Sequence, residues 1–116
     1  STTTAWPTQD YNGLAELTEY MLEELGVPML PAYVAAGYAA GQVIQQAVEG
    51  AQTLDSAELR DYIASNTFDT AVGEISYNED GTVAFNALLL LYQEDGNHVI
   101  WPESEATDEA VTPLRP

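Results

Sequence analysis

The lone histidine of the chain, His98, stands in the stretch QEDGNHVIW, two residues after Gly96 in a turn. Imidazole is the side chain whose unperturbed titration falls between pH 5 and 8, which makes it the first place to look for acid–base chemistry. Such chemistry also needs a reacting group to activate. The sequence offers no G-x-S-x-G elbow, no glycine-rich phosphate loop, no zinc-ligand spacing and no cysteine. His98 therefore reads as a surface histidine beside a turn. Paired carboxylates are the other common acid–base device, but with 19 Asp and Glu in 116 residues no single pair carries information. The stretch NEDGT, 78 to 82, invites a calcium reading. Placing Gly81 at the sixth position of an EF-hand loop puts Ser76 at its first position and Ala87 at its last, where a bidentate Glu is required, so the frame fails. No catalytic residue, cofactor or metal is expected, and the chain is not expected to be an enzyme.

The charge balance says more about surroundings than about reactions. Arg60 and Arg115 are the only strong cations, there is no Lys, and the formal net charge is −17. An apolar fraction of 46% separates this chain from a disordered acidic tail. Its length suits one domain burying roughly 60–70% of the unfolded surface. Self-repulsion at this charge lowers stability in dilute buffer, and a Debye length of about 3 Å at 1 M salt removes most of it. The expected setting is therefore high salt, with a coat of hydrated carboxylates. A decoy for a basic partner and a calcium-loaded surface are the competing explanations. Two arginines cannot neutralise a phosphate track, so nucleic acid is not an expected partner. The absence of Cys selects no compartment. No apolar run reaches the 18 residues of a membrane span. With no initiating Met and no leader pattern before Ser1, a processed product or an excised piece is expected.

The elements that would position any site follow from periodicity. STTTAWPTQ, residues 1 to 9, reads as a short strand stopped at Pro7. Leu14, Leu17, Met21 and Leu25 recur at helical steps between a cap at Asn12 and a stop at Gly26. A second helix begins at Pro31 and ends near Gly50, and a third starts at Asp55 with Glu58 in capping-box spacing. Leu59, Tyr62 and Ile63 form its buried stripe, and Asn66 closes it. The period then changes: 71 to 77 alternates, NEDG turns, and 83 to 93 is a long strand apolar on both faces at its centre. EDGN makes a second turn, HVIW returns, and the tail is polar and proline-punctuated. Strand, three helices and a strand meander indicate a layered α/β or α+β arrangement. The front strand has no parallel neighbour within the chain, and the late strands are too few to cover three helices.

In the second helix Gly37 and Gly41 lie four apart beside Ala36 and Ala40, making a smooth face where another backbone can approach. Each glycine costs about 1 kcal/mol relative to alanine in a helix, so close packing on a sheet is the expected compensation. Tyr33 and Tyr38 flank that face.

From this helix onward the chain resembles a family. AYVAAGYAAGQVIQQAVEGA, then LDSAELRDYIASNTFDTAVGEISYNEDG, then LLLLYQEDGNHVIWPESEAT follow the order found in the C-terminal third of type I solute-binding proteins. These are the leucine/isoleucine/valine-binding group of branched-chain amino acid and amide ABC importers. The resemblance runs from about Trp6 to Pro113, and its most specific pieces are TFDTAVGEISYNEDG and QEDGNHVIWP. It implies part of a two-lobed Rossmann-like fold, joined by crossing strands and closing on a small solute. On that mapping residues 1 to 9 leave the second lobe, residues 10 to 82 supply first-lobe helices and a strand, and residues 83 to 116 cross back into second-lobe strands. The resemblance also implies that Tyr33 or Ala35, at the start of the second helix, contacts an amino-acid-like solute. The implied partner is an ABC permease and the implied location periplasmic, extracellular or cell-surface anchored. Self-association of such a fragment is expected. The alternative is a stand-alone acidic interaction or structural module, dimeric in one form.

Overall fold

The computed structural model describes residues 2–84 and 87–110. The front strand is short: β1 is Thr2–Thr3 alone, and Trp6 to Gln9 form a turn closed by Gln9 N–H donating to the Trp6 carbonyl at 2.9 Å. Pro7, which has no N–H to contribute to a ladder, sits inside that turn. Three helices follow. The first, α1 (Leu14–Glu23), buries Leu14, Leu17 and Met21. Its cap is Gly13 at φ 81°, not Asn12, because the Asn12 amide is turned away to the Asp69 carbonyl. Leu25 lies beyond the helix end and is exposed, so it leaves the stripe expected of it. Gly26, at φ 66°, turns the chain so that Val27 N–H reaches back to the Met21 carbonyl.

The longest element is α2 (Ala32–Ala51), which buries Ala35, Ala39, Val43 and Ala47, one residue every four. Such small side chains allow close packing on α3 (Ser56–Ser65) and β2 (Phe68–Thr70). It ends at Gln52, whose left-handed backbone (φ 53°) takes the terminal role expected of Gly50. Gly50 instead lies under the Tyr62 ring of α3, where a Cβ would overlap the phenol oxygen. In α3 the Asp55 carboxylate accepts from Ala57 and Glu58 N–H at 3.1 and 3.0 Å. The Asn66 amide closes the other end on the Tyr62 carbonyl at 2.8 Å.

The strands form two three-stranded antiparallel sheets. One has the order β2, β3 (Gly73–Tyr77), β4 (Val83–Ala84), and the other has β1, β5 (Leu88–Gln93), β6 (Gly96–Trp101). The strand expected over 83 to 93 is thus two strands in two sheets, with Phe85 and Asn86 outside the described residues. The tight 78–81 turn explains the split. It pairs Val83 with Tyr77, while Leu88 and Leu89 pair with Thr3 and Thr2. One straight strand cannot serve both partners. The front strand has an antiparallel neighbour in β5 and, among the described residues, no parallel one. Leu88 and Leu90 face inward, whereas Leu89 is 37% exposed, so β5 is covered on one face only. A short 3₁₀ turn, Glu103–Glu105, follows β6, and the end of the expected tail, residues 111–116, is outside the described residues.

The architecture is mixed α/β, and the described residues form two separate apolar cores. The larger unites α1, α2, β2 and β3 around Leu14, Val43, Phe68 and Ile75; the smaller gathers Leu88, Leu90 and Val99 under Trp6. The radius of gyration is 16.5 Å, against about 13 Å for a compact chain of this length. The shortest dimension is 18 Å, close to one helix layer on one sheet.

Candidate functional site

Helix α2 starts at Pro31, whose extended backbone (ψ 139°) leads in without a side-chain cap. At its second residue, Tyr33 projects into solvent at 92% exposure, while Ala35 is fully buried in the larger core. The structure therefore does not bring the two residues together on one surface. The smooth face singled out in the sequence is also open. No heavy atom lies within 4 Å of a Cβ built on Gly37 or Gly41, and Ala36, Ala40 and Ile44 beside them are exposed. Among the described residues, no sheet packs on this face as expected. The buried stripe is instead the row Ala35, Ala39, Val43 and Ala47, two positions from the glycines and so on the far side of the helix.

Polar side chains of α2 organise the neighbouring loops. Gln42 donates to the Asn12 carbonyl at 2.9 Å and accepts from Ala71 N–H at 2.8 Å. Gln46 and Asn12 both donate to the Asp69 carbonyl, at 2.8 and 3.0 Å. These bonds frame a shallow depression of about 400 Å³ lined by Asp10, Tyr11, Asn12, Gly13, Glu16 and Asp69. Neither Tyr33 nor Ala35 lines it. Nothing local in the sequence pairs Gln42 or Gln46 with these loops, which lie 23 to 30 positions away.

At the rear of the depression, Tyr11 lies beside Gly73, and its hydroxyl is pushed up to about 12 by burial and by the Glu105 carboxylate. The same Glu105 accepts from the buried Gln9 amide at 2.8 Å. His98 has partners that the sequence did not reveal. Its Nε2 is 2.7 Å from an Asp95 carboxylate oxygen, and its Nδ1 is 3.7 Å from Asp108. The imidazole hydrogen bond holds the Asp95 carboxyl below its ordinary range. Two carboxylates around an imidazole orient it but supply no nucleophile. In the 78–81 turn the Asp80 carboxylate accepts from the Thr82 N–H and hydroxyl, which lowers its pKa and keeps it engaged within the turn. Among the described residues, no three acidic or histidine side chains converge as metal ligands would. No helix among them is long and apolar enough to cross a membrane.

The chemistry available among the described residues is thus hydrogen bonding by amides and carboxylates, beside apolar helix surface that they leave open. No protein-family model matches the chain, and no curated protein matches it.

Proposed function

We propose that this chain is the C-terminal third of a type I solute-binding protein, the receptor component of a branched-chain amino acid or amide type ABC importer. The observation that carries the reading is the antiparallel pairing of β1 with β5, in the sheet of the smaller of two apolar cores formed by the described residues. A polypeptide that leaves one lobe, builds part of another and returns must run in opposite directions at its two crossings. The register of Thr2 with Leu89 and Thr3 with Leu88 has that form. The open Gly37 and Gly41 face is a second support, since exposed contiguous apolar surface usually belongs to an interface. In the proposed whole, this face seats on the first lobe's parallel sheet, making the chain part of a Rossmann-like two-lobed fold. Tyr33, at the exposed start of α2, is the residue proposed to reach the solute, with Ala35 holding the turn beneath it in the core. The chain performs no chemistry on that reading. It captures an amino-acid-like solute outside the cell membrane and presents it to the permease, in a salt-adapted organism.

The test is the mass of the native gene product, followed by thermal-shift titration of that product with leucine, isoleucine and valine in molar salt. A product about three times this length that is stabilised by one of these solutes is the expected result. A native product of 116 residues that sediments as a monomer would refute the receptor reading. The same product sedimenting as a dimer through the Gly37 face would favour the stand-alone interaction module.

A further inference from the structure

The two apolar cores are joined by two stretches of chain, one from Thr3 to Leu14 and one between β4 and β5. On the first stretch lies Gln9, one of two buried polar residues among those described. Its amide nitrogen donates twice to a single residue far along the chain, at 2.9 Å to the Glu105 carbonyl and at 2.8 Å to the Glu105 carboxylate. Its amide oxygen accepts from the Thr8 hydroxyl at 2.6 Å, so both ends of the side chain are engaged. Glu105 closes the 3₁₀ turn that packs on β6 and therefore moves with the smaller core. The same carboxylate is near enough to raise the pKa of the Tyr11 hydroxyl, and the Tyr11 ring packs against the larger core.

The geometry points to Glu105 as a latch that fixes the angle between the two bodies. A charge-assisted bond to a buried amide is stronger than a neutral one, and opening it leaves that amide without its acceptors. The β1–β5 ladder lies within the smaller body's own sheet and does not span the junction. Glu105 does span it. A single carboxylate links Gln9 on the entry segment to the turn at the end of β6, with Tyr11 beside it. This inference does not depend on the receptor reading, because it concerns two cores within one chain.

The absence of cysteine allows two spin labels to be placed cleanly, at Ala64→Cys on α3 and Asn97→Cys on the β5–β6 hairpin, both exposed positions. Pulsed dipolar spectroscopy on the labelled chain in molar salt reads the distance distribution between the bodies. Glu105→Ala is expected to broaden and shift that distribution, and Gln9→Ala to do the same from the other side of the bond. Glu103→Ala, in the same turn but with its carboxylate outside the latch, is expected to leave it narrow. An unchanged distribution in Glu105→Ala, with the far-ultraviolet spectrum intact, overturns the proposal. Equal broadening by Glu103→Ala overturns it too. If Glu105→Ala fails to fold, Gln9→Ala decides in the same two directions.

Discussion

Three glycines in one helix should respond to alanine in opposite ways. Gly37 and Gly41 are exposed and meet no heavy atom within 4 Å, so an added methyl costs nothing sterically. Each substitution should gain about 0.5–1 kcal/mol from helix propensity. Together they should raise the melting temperature of the isolated chain by roughly 5–10 °C. Gly50 has the same propensity to gain, but its Cβ would overlap Tyr62 Oη and sit 2.6 Å from Cζ. Relief requires the ring to swing, which strains its rotamer by about 0.5–1.5 kcal/mol. The swing also forfeits the tilted contact with Phe68, now at 6.4 Å between centroids, for about as much again. The net for Gly50→Ala therefore runs from neutral to about 1–2 kcal/mol of destabilisation. Adding Tyr62→Phe should recover part of it by removing the overlapping oxygen. Urea melts in about 2 M salt would measure all four variants. If Gly50→Ala stabilises as much as the other two, the packing argument at Tyr62 is wrong. If Gly37→Ala and Gly41→Ala destabilise the isolated chain, the smooth face is already covered in solution.

Other expectations rest on single contacts. Asp55→Ala should cost about 1 kcal/mol by freeing two N–H groups of α3, read as a lower urea midpoint with an unchanged slope. Tyr11 is raised in the folded state, so its contribution is complete below pH 10 and is lost as pH climbs through about 12. With the group partly solvent-screened, that loss is on the order of 1 kcal/mol. Urea midpoints from pH 9.5 to 12 should fall more steeply for the parent than for Tyr11→Phe. Raising NaCl from about 0.1 to 2 M should raise the melting temperature by damping repulsion at a net charge of −17. The Arg60–Asp61 pair is too exposed, at 76% and 72%, to reverse that trend.

Local signals were legible in the sequence, and remote ones were not. The cap at Asp55 and the close at Asn66 are written within four residues of where they act, and both occur. The starts of α1 and α2 were placed within about two residues for the same reason. The end of α2 departs from its sequence signal because Gly50 packs against Tyr62, a residue on another helix, while an ordinary Gln52 takes the left-handed turn. The long strand over 83 to 93 read as one because apolar residues continue through it; only the partners Tyr77 and Thr3 divide it. The amide bonds from Gln42 and Gln46 to loops about 20 to 30 positions away have no local signature at all. Of the residues expected at a solute site, Tyr33 is open to solvent and Ala35 is enclosed. Periodicity could have separated them, since Ala35 belongs to the row with Ala39, Val43 and Ala47 and Tyr33 does not.

The register that joins position 2 to position 89 also orders the assembly of the chain. During synthesis at roughly 5–20 residues per second, β1 waits on the order of ten seconds before its partner exists. The β5–β6 hairpin, joined by a two-residue turn, can then form in microseconds once released. For a time it presents a free strand edge beside Leu88 and Leu90, because closing so long a loop is the entropically dearer event. Another hairpin from a second chain could use that edge first. β1 is then less a stabilising strand than a cap on the growing hairpin, closing the edge through which two chains would otherwise pair.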